Sequence, residues 1–167
     1  MIKILSFSIK SSMSRICKTV FVKSVIDPVE ATNLYNSLFC DIEWEEGVRS
    51  VKGFTRMAKA INYGDVVEID TIINKSLKSV TDKAYLIEGI YLNYYENGKS
   101  WTPSHTHPGT HQLVISLGAT RTLQINKKDF IMENGDVVIF GGSAHGLPKD
   151  LNVTEGRISI ATFMKPI

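Results

Sequence analysis

Apolar positions follow two rhythms along this chain. Up to about residue 80, β-branched and helical spacings alternate. Thr19 to Val25 is β-branched and predicts a strand. Asp27-Pro28 then opens a helix, with Asp27 placed to accept from free backbone N–H groups and Pro28 at the first helical position. Val29, Leu34, Leu38 and Phe39 supply its apolar face. A second helix is predicted from about Val67 to Lys78, where Ile69, Ile72, Ile73 and Leu77 recur roughly three and four apart.

From Tyr85 onward the pattern becomes short apolar runs punctuated by turns. Strands are predicted over Tyr85 to Tyr95, His111 to Leu117, Thr120 to Ile125, Asp129 to Met132, Asp136 to Phe140 and Arg157 to Met164. Glu96-Asn97-Gly98, Glu133-Asn134-Gly135 and Gly141-Gly142 mark breaks between them. Short strands at this spacing suggest a sandwich or barrel. Two helices followed by strands read as α+β: a double-stranded β-helix (jelly-roll) core with the N-terminal helices packed on one sheet.

Composition narrows this little. The 167 residues fit one domain, predicted over 19–167, behind a basic segment at 1–18. Apolar residues at 43% and charged residues at 22% are ordinary for a globular chain and argue against disorder. A net charge of +2 excludes neither nucleic acid nor a small substrate. Lys3, Lys10, Arg15, Lys18 and Lys23 precede the first acid, Asp27, and read as a solvated terminus or as a basic arm near nucleic acid. Asp41, Glu43, Glu45 and Glu46 around Trp44 read as a solvated turn. Two cysteines, Cys17 and Cys40, are too few for a disulfide framework and suit reduced thiols in an intracellular, cytoplasmic protein. Ile2 to Ile9 is too short and polar to span a membrane, and no signal-peptide pattern follows it.

Candidate chemistry concentrates in the histidines. Three of the four lie in Ser104-His105-Thr106-His107-Pro108-Gly109-Thr110-His111, and the fourth is His145. Residues i and i+2 of a strand point the same way, so His105 and His107 can offer imidazoles to one ion. His145, from a distant strand, completes a facial set with open positions. Imidazole suits Fe, Zn, Cu or Ni. His111 stays open as a fourth ligand, a supporting residue or a plain strand residue. Asn93 and Tyr95 share one strand face, as do Arg157 and Ser159. An arginine aimed into a barrel needs an anion, and its planar fork suits a carboxylate. Arg157 on the surface, or paired with Glu155, is the plainer reading.

Taken together these residues resemble the AlkB-like branch of the 2-oxoglutarate and Fe(II)-dependent dioxygenases, notably its short phage and algal-virus members. The resemblance covers most of the chain. Phe21 through Trp44 is similar to the family's entry strand, helix and tryptophan. Arg56 to Tyr63-Gly64-Asp65 resembles part of its nucleotide-recognition lid. Asn93-Tyr94-Tyr95 resembles its Asn-x-Tyr, and His105-Thr106-His107 stands where the family has His-x-Asp. Ser116-Leu117-Gly118 through Arg121 resembles its Ser-Leu-Gly strand with an arginine, Gly135-Asp136-Val137-Val138 leads to the distal ligand, and Arg157-Ile158-Ser159-Ile160 resembles the closing strand.

The resemblance implies Fe(II) on His105, His107 and His145, and 2-oxoglutarate on Asn93, Tyr95, Arg157 and Ser159. It also implies O2 as co-reactant and a base of single-stranded or flipped nucleic acid near Arg56, Tyr63 and Arg121, hydroxylated or demethylated. Two departures stand out: His107 replaces the family's aspartate, and the closing strand's second arginine has no counterpart near Phe163 or Met164. Hydroxylation of a protein or small molecule remains an alternative. So does a cupin-like metal-binding protein without 2-oxoglutarate, because Gly98, His105, His107, His111 and Gly118 are spaced much like a first cupin motif.

Overall fold

The computed structural model describes residues 17–46 and 56–167; most of the basic segment predicted at 1–18 lies outside them. The elements in chain order are β1 (Val20–Val22), α1 (Pro28–Asp41), β2 (Glu45–Glu46), β3 (Met57–Ile61), α2 (Val67–Val80), β4 (Tyr85–Tyr95), β5 (Thr102–His105), β6 (His111–Gly118), β7 (Arg121–Ile125), β8 (Lys128–Met132), β9 (Val137–Phe140), β10 (His145–Leu147) and β11 (Arg157–Pro166).

The strands form two open antiparallel sheets. The larger runs β1-β9-β6-β11-β4-β3-β2 and the smaller β5-β10-β7-β8. This is the double-stranded β-helix expected from the strand pattern. Both faces of the larger sheet are covered around β9, β6 and most of β11, so these strands are buried along most of their length while still alternating in destination. On β6, Leu113, Ile115 and Leu117 pack with the helices, whereas Val114 faces the smaller sheet. On β11, Ile158, Ile160 and Met164 join the helix-side core, whereas Ala161 and Phe163 join the inter-sheet core. Each strand thus gives one face to stability and the other to the space between the sheets.

Both helices lie on the helix-side core. Asp27 caps α1 by accepting from the Val29 N–H (2.9 Å), with Pro28 starting the helix. The buried face is Ala31, Leu34 and Leu38. Val29 and Phe39, expected on that face, are 69% and 46% exposed. At about 100° per residue Val29 falls some 200° from Ala31, so the two cannot share a stripe. Phe39 packs instead beside Tyr35 and Tyr94. On α2, Ile69, Ile72 and Ile73 are fully or almost fully buried, as their spacing predicts.

One turn locks the layers together. The fully buried Asp136 carboxylate accepts from the Ser24 N–H and the Glu133 N–H, both at 2.8 Å. Beside it Gly135 holds φ +91°, and a Cβ there would run into the Ile26 carbonyl. Glycine is required on both counts. Among the described residues no helix is long and apolar enough to cross a membrane.

Candidate metal centre

The smaller sheet brings the histidines together. β5 pairs with β10 so that His105 stands directly opposite His145. His107 lies two residues beyond the end of β5, not on the strand as its spacing implied. A tight turn returns it to the cluster: the Thr110 N–H and hydroxyl both donate to the His107 carbonyl, at 3.3 and 2.9 Å. Ring centroids are 4.3 Å apart for His105 and His145, 4.8 Å for His105 and His107, and 5.5 Å for His107 and His145. One ring nitrogen from each falls within 4.8 Å of the others, the sole such cluster of three among the described residues.

Two imidazoles are fixed in tautomer. His105 Nδ1–H donates to the Pro103 carbonyl (2.8 Å), and His145 Nδ1–H to the Ser143 carbonyl (2.9 Å). A carbonyl can only accept, so each Nδ1 carries the proton and each Nε2 presents a lone pair. Burial pushes His145 down to about 4, helped by His105, His107 and Arg56 and opposed by the Ser143 bond. His145 is therefore neutral near pH 7, the state a metal requires. The donor set fits an ion: three imidazole nitrogens lie within 4.8 Å of one another, and a zinc-type metal takes such ligands at roughly 2.0–2.1 Å.

The cluster opens on a cavity of about 520 Å³, within the roughly 300–1,000 Å³ range of small-molecule sites. Its floor is the concave face of the larger sheet, in four registered rows. Arg157 faces Tyr95, Ser159 faces Asn93 and Ser116, Ala161 faces Tyr91 and Val114, and Phe163 faces Gly89 and Gln112. The first two rows are polar, and the last two are mainly apolar apart from Gln112. Arg157, 1% exposed, donates from Nε to the Ser116 hydroxyl (3.0 Å) and lies 5.5 Å from the Tyr95 ring centre. Its Nη2 is buried without a partner. Burial lowers Arg157 to about 10, with Arg121 adding to the effect, so it stays charged at neutrality. Asn93 donates to the Ser159 hydroxyl (3.3 Å). Among the described residues Glu88 is the one acid lining the cavity, and its carboxylate pairs with Lys165 (2.6 Å). The deep end thus offers an anion a charged N–H with nothing to bond.

The other expected site residues divide. Arg56 lines the cavity, and its Nη1 donates to the Thr102 hydroxyl (3.3 Å), which is also bonded to Tyr95 Oη (2.7 Å). Arg121, expected to meet substrate, does not line the cavity. Its guanidinium donates to the Asn97, Ser100 and Pro148 carbonyls at 3.1, 2.9 and 2.7 Å and ties two loops together. Tyr63, expected over the metal, is also absent from the lining. Its hydroxyl accepts from Asn74 on α2 (2.7 Å), and Tyr63-Gly64-Asp65 is a turn between β3 and α2. The cause is local: the Asn62 N–H donates to Asp65 and the Gly64 N–H to Asp70, which fold the segment onto the helix start. His111 points to the helix side, where Nδ1 lies 3.1 Å from Tyr85 Oη. Ser116, Thr102 and Gln112 escaped the sequence reading as site residues. Ser116 and Gln112 keep the inward parity of β6 shared with Val114, a signal that one alternating strand contains.

No family model matches the chain. Over 66 residues it is 36% identical to the human Arf-GAP with Rho-GAP domain, ANK repeat and PH domain-containing protein 2, which covers 40% of this chain and 3% of that protein. Solved structures align over far more. HygX from Streptomyces hygroscopicus, with nickel, 2-oxoglutarate and hygromycin B bound, gives a TM-score of 0.70 at 10% identity over 90% of this chain and 84% of its own. The α-ketoglutarate-dependent epimerase SnoN of nogalamycin biosynthesis gives 0.68 at 13% over 90% and 78%. The collagen prolyl hydroxylase of Paramecium bursaria Chlorella virus-1 gives 0.59 at 16% over 98% and 99%. The chain shares the double-stranded β-helix fold of these structures.

Proposed function

We propose that this protein is an Fe(II)- and 2-oxoglutarate-dependent oxygenase, with the metal on His105, His107 and His145 and the cosubstrate on Arg157. One observation carries the reading: three convergent imidazoles share a cavity with a fully buried arginine whose Nη2 has no partner. A metal site alone would leave that guanidinium unexplained, so the pairing favours an oxygenase over a cupin-like protein without 2-oxoglutarate.

Each residue then has a physical task. Arg157 grips the distal carboxylate of 2-oxoglutarate, and Ser116 keeps the guanidinium in plane. Asn93, Ser159 and Tyr95 line the path toward the histidines, with the Tyr95 hydroxyl held by Thr102. Leu123, Leu147, Val114 and Ala161 keep water from the deep end. The Pro103 and Ser143 carbonyls fix His105 and His145 with Nε2 inward. When bound, iron with 2-oxoglutarate and O2 supplies the oxidising power for hydroxylating a C–H bond. With His107 in place of a carboxylate, the ligand set is neutral and the centre one charge more positive.

For substrate we favour a small molecule or a peptide side chain. The AlkB-like reading, oxidation of a nucleic-acid base, retains Arg56 at the cavity but not Tyr63 or Arg121. Succinate formation tests the whole proposal. Iron-loaded protein supplied with 2-oxoglutarate and O2 should release succinate slowly without substrate, and His145→Ala should abolish it. Iron-loaded wild type that leaves 2-oxoglutarate intact would sink the proposal. A methylated single-stranded oligonucleotide that accelerates succinate release would restore the base reading.

A further inference from the structure

The outermost row of the cavity floor holds a second donor with nothing to bond. Gln112 on β6 stands opposite Phe163 on β11 and Phe140 on β9. It is 2% exposed and lines the cavity, and its Nε2 is buried without a hydrogen-bond partner. Phe163 and Phe140 are the rings behind the metal centre: His107 lies 4.9 Å from Phe163, and His145 lies 4.9 Å from Phe140. Gln112 therefore sits between the two rings that back two of the three histidines. A buried amide donor left unbonded is a defect that an apolar side chain of equal length would remove. Its presence here calls for a ligand.

The rows show which ligand. Arg157 and Phe163 are six residues apart on β11, roughly 20 Å of strand at about 3.3 Å per residue. Arg157 and Gln112 stand at opposite ends of that floor, so an anion held at Arg157 leaves the outermost row for a second occupant. There the lining is aromatic: Phe163 and Tyr91 meet edge to face with centroids 5.3 Å apart. Gly89, opposite Phe163, keeps that wall open, since a Cβ would find no heavy atom nearer than 3.9 Å.

We propose that Gln112 is a substrate-positioning residue. Its Nε2 donates to a carbonyl or hydroxyl oxygen of a compact substrate whose apolar part lies on Phe163 and Tyr91. The assignment rests on the oxygenase reading, which places the cosubstrate at Arg157.

Benzamide, a ring with one carbonyl, is the probe; benzylamine is its counterpart without an oxygen. Each is titrated into zinc- and 2-oxoglutarate-loaded protein and into metal-free protein, followed by 1H–15N NMR. Benzamide should move the Gln112 side-chain NH2 resonance, and benzylamine should not. Gln112→Met should bind benzamide roughly three- to tenfold more weakly, the weight of one neutral hydrogen bond. Zinc and 2-oxoglutarate affinities should be unchanged, and Gln112→Met should melt at or above the wild-type temperature. Equal benzamide affinity in both proteins, or an unmoved Gln112 resonance, would overturn the assignment. Should Gln112→Met fail to fold, the wild-type resonance decides alone. If zinc or 2-oxoglutarate does not bind but benzamide still moves Gln112, the oxygenase reading falls and the subsite stands.

Discussion

Arg121 and Arg157 are both buried, both begin a strand, and both place a guanidinium within 6 Å of the Tyr95 ring centre, at 5.9 and 5.5 Å. They differ in what they bond. Arg121 gives three N–H groups to backbone carbonyls of two loops and leaves its Nε without a partner, away from the cavity lining. Arg157 bonds one serine hydroxyl through Nε and keeps Nη2 unpaired beside the cavity. Burial of a charge therefore does not define its role. A guanidinium bonded to carbonyls organises loops, whereas one left short of partners at a cavity is arranged for a ligand.

The largest expected effect falls on Arg121. Arg121→Met strands three carbonyls, one buried and two partly buried, and should lower stability by about 3 kcal/mol, read as a fall in Tm on the order of 10 °C. Arg157→Met removes an under-bonded buried charge, so its Tm should match or exceed wild type. A large destabilisation by Arg157→Met with none by Arg121→Met would reverse the two roles.

Ligand binding gives the next contrast. Arg157→Ala should weaken 2-oxoglutarate binding on the order of a hundredfold, measured by calorimetry on zinc-loaded protein. Arg157→Lys should recover only part, because an ammonium lacks the fork. Folded Arg121→Met protein should bind 2-oxoglutarate as wild type does; a loss there would return Arg121 to the site.

Among the histidines, His107→Ala should sharply reduce Co(II) binding while His111→Ala leaves it nearly unchanged. His111 is turned to Tyr85 on the helix side, and removing it should register only as a small stability change. Tyr63→Ala should have the smallest effect, altering neither metal nor 2-oxoglutarate affinity, since its hydroxyl bonds Asn74 outside the cavity.

Much of this organisation is legible in the residues. The run from Tyr85 to Tyr95 is one strand with the bounds its composition predicts, because β-branched and aromatic residues fill it between turn formers. Alternation along β11 places Arg157 and Ser159 on one face for the same reason. What could not be read depends on tertiary partners. β10 has three residues, too short for any periodicity, so the pairing that sets His145 against His105 has no local signature. His107 reaches the cluster through a turn and not through strand parity. Arg121 and Arg157 carry the same side chain, and only the loops at Asn97, Ser100 and Pro148 distinguish them. Tyr63 was drawn away by the Asn62, Asp65 and Asp70 contacts at the start of α2.

The claim that one cavity joins the His105–His107–His145 centre to an anion site at Arg157 is tested most directly by anaerobic titration. Fe(II)-loaded protein is titrated with 2-oxoglutarate while the absorption spectrum is followed. Wild type should develop a metal-to-ligand charge-transfer band that saturates, and Arg157→Ala should need about a hundredfold more 2-oxoglutarate to reach it. Iron-loaded wild type that shows no band at any 2-oxoglutarate concentration would contradict the account.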